Sequence, residues 1–174
     1  FKGIFIGSGA GLPNFMNIPG ENALNIMSSN EYLTRVNLMD AANPHTDTPI
    51  NLGKKVVVVG GGNTAMDSCR TAKRLGADVT LVYRRSEAEM PARLEEVKHA
   101  KEEGITFMTL HNPREYEADE KGAVKAVVLD VMKLGEPDAS GRRRPEATGE
   151  TITLECDQVI VAVGVSPNPL VPQS

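Results

Sequence analysis

The stretch Lys55-Val56-Val57-Val58-Val59-Gly60-Gly61-Gly62-Asn63-Thr64-Ala65 decides the fold. Four consecutive valines without polar alternation fit a strand buried on both faces, as in a parallel sheet covered by helices. The glycines and Ala65 form a GxGxxA run that leads into a helix carrying Ala65, Met66, Cys69, Ala72 and Leu75 at helical spacing, with Gly76 as its C-cap. In such a run Gly60 permits the tight turn, Gly62 lets the backbone approach a pyrophosphate, and Ala65 allows the helix to pack closely on the strand. The helix start at Asn63 and Thr64 offers free N–H groups and a positive dipole end to phosphate. Three glycines in a row also suit a plain loop. The context of strand, glycine turn, helix and second strand favours a dinucleotide site.

Downstream, Asp78–Tyr83 reads as a second strand, Arg93–Glu103 as a charged helix ending at Gly104, and Ile105–Leu110 as a third strand. Strand, helix, strand, helix, strand is the signature of a doubly wound α/β unit. An acid about twenty residues past the glycines would bond a ribose 2′-hydroxyl. This chain has Tyr83-Arg84-Arg85-Ser86 there instead. Two guanidiniums suit a 2′-phosphate, so NADP is favoured over NAD. Arg93 is a weaker third candidate.

The flanks are less regular. Gly3–Ile6 reads as a strand running into Gly7-Ser8-Gly9-Ala10-Gly11, where Leu12 replaces the small residue a second fingerprint would need. A helix is expected over 29–40 and a linker over 43–51, which places a domain boundary there. After Pro113 the period shortens. Arg114–Asp119, Ala123–Leu134 and Thr151–Val163 read as strands of an antiparallel meander, with a long connection over Gly135–Glu150. Arg142-Arg143-Arg144 within it reads as a mobile hairpin tip in preference to the alternative, a docking patch for a partner. Gly164 ends the last strand with no helix behind it. It and Gly7–Gly9 look like places where a ligand comes close to the backbone.

Composition bounds the rest. With 174 residues, 40% apolar and 24% charged, the chain is of ordinary single-domain size and can bury a core. A net charge of −4 provides no basic field for nucleic acid or anionic membrane. Cys69 and Cys156 form no CxxC and read as buried thiols, and no metal site is expected. His45, His99 and His111 have no ligand spacing and read as surface or helix-end residues. Phe1-Lys2-Gly3 does not open a signal peptide, and the cytoplasm is the default location. A start at Phe1 and an end at Pro172-Gln173-Ser174 suggest a piece of something longer.

Five blocks carry a family resemblance: FIGSGAGLPNFMNIPGEN (5–22), SNEYLTRVNLM (29–39), VVVVGGGNTAMDSCRTAKRLGADVTLVYRRSEAEMPAR (56–93), EEVKHAKEEGI (95–105) and DQVIVAVGVSPNP (157–169). Together they resemble the small, flavin-containing subunit of NADPH-dependent glutamate synthase. They also fit the wider family of two-dinucleotide-binding oxidoreductases that includes dihydropyrimidine dehydrogenase. The resemblance implies an NADPH domain inserted in an FAD domain, with hydride passing from nicotinamide C4 to flavin N5 and electrons onward to iron–sulfur centres or a partner subunit. It implies that Gly60, Gly61, Gly62, Asn63, Thr64 and Ala65 hold the NADPH pyrophosphate and Arg84 and Arg85 the 2′-phosphate. Gly7-Ser8-Gly9 and Ala162-Val163-Gly164 would lie where the chain crosses between the two domains.

The family's FAD fingerprint and iron–sulfur cysteines are expected before Phe1, and the return of the FAD domain after Ser174. Residues 1–44 are therefore expected to be a remnant of the FAD domain with a linker helix. Residues 45–163 would be the NADPH domain, and 164–174 the start of the return. The expected function is NADPH binding within a flavoprotein reductase, without turnover by this chain alone and with no catalytic side chain. Expected partners are NADPH, the remaining FAD domain and a large catalytic or ferredoxin-type subunit. No Tyr-x-x-x-Lys pair is present, which counts against a short-chain dehydrogenase, and Arg84-Arg85 count against a methyltransferase. A non-catalytic nucleotide-sensing or interaction module of Rossmann type is the alternative.

Overall fold

A computed structural model of the chain describes residues 1–7, 9–139 and 141–170. In chain order the elements are β1 (Leu12–Pro13), β2 (Ile26–Ser28), α1 (Ser29–Leu33), β3 (Lys55–Val59), α2 (Asn63–Arg74), β4 (Asp78–Tyr83), α3 (Leu94–Glu102) and β5 (Thr106–Thr109). Then follow β6 (His111–Ala118), β7 (Val124–Pro137), β8 (Arg143–Glu155), β9 (Gln158–Val161) and β10 (Val165–Ser166).

The valine run forms β3, the centre of a five-stranded parallel sheet of order β2-β9-β3-β4-β5. All four valines are at most 4% exposed. Val56 and Val58 pack with Ala65, Met66, Cys69 and Ala72 of α2 and with Val97 and Ala100 of α3. Val57 and Val59 pack with Tyr116, Val127 and Leu129 of β6 and β7. The doubly buried strand is thus as expected, but its cover is not. Helices cover one face only, and the antiparallel sheet β6-β7-β8 covers the other. Buried valines demand an apolar neighbour on each side and are indifferent to whether it is helix or sheet.

Four further expectations are corrected. Thr151–Val163 is not one strand: Cys156 and Asp157 separate β8, in the antiparallel sheet, from β9, in the parallel sheet. Asp157 anchors the switch, accepting hydrogen bonds from the N–H groups of Lys54 (3.1 Å) and Lys55 (2.9 Å) at the start of β3. The connection 135–150 is mostly ladder, because β7 and β8 pair as far as Pro137↔Arg143. Residues 3–6 form no strand: Ile4, Phe5 and Ile6 are exposed, with no neighbouring strand to pair with. The helix after Ser28 is α-helical over five residues and continues as a π-helical turn, Thr34–Leu38.

Ile26–Leu33 belongs to the same body as the segments that follow the linker. β2 pairs with β9, and Tyr32, 1% exposed, lies in the α2-side core. The chain passes in and out side by side at the antiparallel pair β1-β10. No helix among the described residues is long and apolar enough to cross a membrane.

Ion pairs fasten α2 to α3. Arg70 bonds Glu96 (2.7 Å) and Glu103 (2.8 Å), and Arg74 bonds Glu103 (2.8 Å). Burial raises the Glu103 carboxyl, but the bonds from Arg74 and Arg70 outweigh it and hold the group below its ordinary value. The folded value lies below the unfolded one, about 4.3. The stabilisation is therefore complete above that value and is lost as pH falls through the lower folded value. Thermal melts should find Glu103→Gln less stable than the unmodified chain near neutral pH, with the gap closing as pH falls below the ordinary carboxylate value of about 4.3.

Candidate nucleotide-binding site

In a parallel sheet ligands bind beyond the carboxyl ends of the strands, where strand order reverses. Here the chain runs outward from β3 through β4 to β5, whereas β9 and β2 lie on the other side. At the reversal Ala162 N–H donates to Val59 O (2.8 Å), joining the end of β9 to β3, and Gly60 N–H donates to Val82 O (3.0 Å), joining the end of β3 to β4. A cavity of about 880 Å³ opens at that point.

The three glycines meet different demands. Gly60 has φ +144°, and a Cβ there would lie 2.3 Å from the Ala162 carbonyl oxygen. Gly61 lies under the Tyr83 ring, which a Cβ would meet at 2.6 Å. Gly62 is unlike both. Its φ is −91°, ordinary for any residue, and a Cβ would meet nothing within 4 Å. No protein atom requires glycine at 62, so the open space before it can admit a ligand against the backbone. Gly62 caps α2 with no side-chain hydrogen bond, and Thr64 in the first turn lines the cavity, so the helix presents its positive end there. Ala65 is fully buried against the sheet. Asn63 turns away, its Oδ1 accepting the Arg93 N–H (2.9 Å) at the start of α3.

Beyond β4 the loop carrying Arg84 and Arg85 is built from inside. Tyr83 donates its hydroxyl to Glu89 O (2.9 Å), and Glu89 accepts from the Ser86 N–H (3.2 Å) and hydroxyl (2.9 Å). Glu87 pairs with Lys101 of α3 (2.6 Å). The nearby acids are thus engaged elsewhere. Among the described residues, Arg84 and Arg85 enter no ion pair. The Nε of Arg85 is buried without a hydrogen-bond partner. Two unpaired guanidiniums on one wall favour an anion between them. Burial pushes the Tyr83 hydroxyl up, against the opposing pull of Arg85 and Arg84.

Gly60, Gly61, Gly62, Thr64, Arg84, Arg85 and Gly164 all line this one cavity. Arg93, Gly7 and Gly9 do not, and Ser8 lies outside the described residues. Tyr83, Glu89 and His111 are among the lining residues that escaped sequence reading. Tyr83 and Glu89 brace the arginine loop, a role their sequence neighbourhood could have suggested through the Ser86-x-x-Glu89 capping box. His111, expected at the surface, lines the cavity with Nδ1 2.7 Å from Thr109 O, which makes Nδ1 the protonated nitrogen. Both thiols are buried as expected, and burial pushes Cys156 up to about 12.

The sheet order, with a cavity at the strand reversal, is that of the FAD/NAD(P)-binding type of fold. FprA of Mycobacterium tuberculosis, solved in complex with NADPH, has the same fold at 20% identity, with a TM-score of 0.76 over 93% of this chain and 50% of that one. The model of the pyridine nucleotide-disulphide oxidoreductase family matches residues 1–174, and the chain belongs to that family. The putative oxidoreductase YgfK of Escherichia coli O157:H7 is 42% identical over 94% of this chain and 15% of its own length. The glutamate synthase [NADPH] small chain of Escherichia coli K12 is 47% identical over 67% of this chain and 25% of its own length. The chain thus spans a quarter or less of these two relatives. The resemblance to the glutamate synthase small-subunit group holds.

The glycines can be separated by stability alone. Gly60→Ala should cost about 2 kcal/mol or more in urea denaturation, because both its φ and the Ala162 contact reject a side chain. Gly62→Ala should stay within about 1 kcal/mol of the unmodified chain.

Proposed function

We propose that this chain is the NADPH-binding domain of a flavoprotein oxidoreductase of the glutamate synthase small-subunit type, and that it positions NADPH to pass hydride to FAD. The observation that carries the reading is Gly62, a glycine for which the protein itself has no steric need, at the mouth of a cavity walled by unpaired Arg84 and Arg85. The pyrophosphate would lie on the backbone of Gly60–Ala65 and the start of α2, and the 2′-phosphate between Arg84 and Arg85. Asn63 and Arg93 would act behind this site by joining α2 to α3. When bound, NADPH supplies the hydride, and the chain contributes binding, orientation and charge. The NADPH named for the glutamate synthase relative supports the choice of nucleotide.

Residues 45–163 would form the NADPH domain, with Ile26–Leu33 docked on it. The rest of residues 1–44, and residues 164–174, would belong to the passage into a neighbouring FAD domain. The exposed side chains of Ile4, Phe5 and Leu170 suit contact with such a neighbour. Gly7 and Gly9 do not line this cavity, and no flavin step is assigned to this chain. Iron–sulfur centres and a large catalytic or ferredoxin-type subunit would lie outside it, in the cytoplasm.

Calorimetric titration tests the assignment. The chain should bind NADPH at least about tenfold more tightly than NADH, since a paired charged hydrogen bond contributes about 1.5–3 kcal/mol. Arg84→Ala/Arg85→Ala should remove most of that preference, and Gly62→Ala should weaken both nucleotides. The unmodified chain should not oxidise NADPH with an artificial acceptor. Equal affinities for the two nucleotides would refute the 2′-phosphate assignment.

A further inference from the structure

The arginine run at 142–144 is not used by the site as built above. In the structure it is not one patch. Arg143 turns onto its own ribbon, donating to the carbonyls of Gly135 and Leu134, both at 3.1 Å. Arg144 does not line the cavity, whereas Gly141 and Arg142 do, together with Arg84 and Arg85.

A physical path brings Arg142 there. Leu110, at φ +58°, donates its N–H to Arg85 O (3.0 Å) and accepts the Met132 N–H (2.8 Å) through its own carbonyl. The root of the β7–β8 arm is thereby tied through one residue to the loop that carries Arg85. Register shifts between Asp130 and Met132 and between Leu134 and Pro137 bend the arm. Its tip is closed by Asp138, whose N–H donates to Arg142 O (2.8 Å), whose carbonyl accepts the Gly141 N–H (2.8 Å) and whose carboxylate accepts the Arg142 N–H (3.1 Å). The Arg142 guanidinium enters no ion pair among the described residues. Its charge reaches Tyr83, where burial raises the hydroxyl while Arg85, Arg84 and Arg142 oppose the rise.

We propose that Arg142 is a third guanidinium for the 2′-phosphate, and that the β7–β8 arm straps the adenosine end of the nucleotide into the cavity. The assignment rests on the NADPH reading above. Three like charges lining one cavity and all acting on Tyr83 repel each other until a dianionic group lies among them, so a 2′-phosphate recovers more than a hydroxyl could. Arg142 is a specificity-determining residue carried by an element outside the glycine-turn unit.

The test uses 2′,5′-ADP and 5′-AMP, which differ by the 2′-phosphate, in calorimetric titrations of the 174-residue chain. Arg142→Ala should weaken 2′,5′-ADP roughly three- to tenfold and change 5′-AMP less than about twofold. Arg142→Lys should recover part of the loss. Arg144→Ala, which removes the same charge from the same arm, should bind both ligands as the unmodified chain does. Unchanged 2′,5′-ADP affinity in Arg142→Ala would overturn the inference. So would an equal loss for both ligands, or an equal loss in Arg144→Ala. If Arg84→Ala/Arg85→Ala abolishes discrimination while Arg142→Ala does nothing, the strap fails and the nucleotide site stands. If the unmodified chain does not discriminate, the site reading itself fails.

Discussion

The close approach of Gly60 to the carbonyl of Ala162 is the constraint on which the rest depends. It sets the carboxyl ends of two adjacent parallel strands at one level, with hydrogen bonds from Gly60 to Val82 and from Ala162 to Val59 fixing a third strand beside them. A crevice at a strand reversal follows from that arrangement. Any side chain at 60 would push β9 away from β3. The floor of the cavity, the aim of α2 and the position of the Tyr83 loop would then move together.

Much of this is legible in the sequence because local rules and tertiary demands agree. Four valines require burial on both faces, and the glycine run after them has few uses between a strand and a helix. The arginines after Tyr83 stand where β4 ends, so their place follows from register alone. The short strand Ile26–Ser28 is not legible, since three residues carry no periodicity and its pairing with β9 spans more than a hundred positions. The break at Cys156-Asp157 is hidden for a related reason. The residues on both sides favour strands, and only the reach of the Asp157 carboxylate to Lys54 and Lys55 reveals that two sheets are involved.

The site divides in the same way. Residues bonded to near neighbours, such as the glycine turn and the Ser86–Glu89 box, can be read locally. Those delivered by long-range pairing cannot. His111 and Arg142 reach the cavity only because the antiparallel sheet occupies the face where helices were expected. Composition makes the 135–150 segment look like loop, with Gly, Pro, Asp and Ser, yet cross-strand pairing continues through it because β7 and β8 have each other as partners.

The chain therefore combines a sheet-end cavity with a bent two-stranded arm, and spans a quarter or less of the YgfK and glutamate synthase relatives. An NMR titration of the isotopically labelled chain with NADPH tests the central claim most directly. The amides of Gly60–Ala65 and of Arg84–Ser86 should shift together and saturate at one concentration. Shifts confined to the opposite end of the sheet, around Lys55, Asp78 and Glu155, with the glycine-turn amides unmoved, would contradict the account.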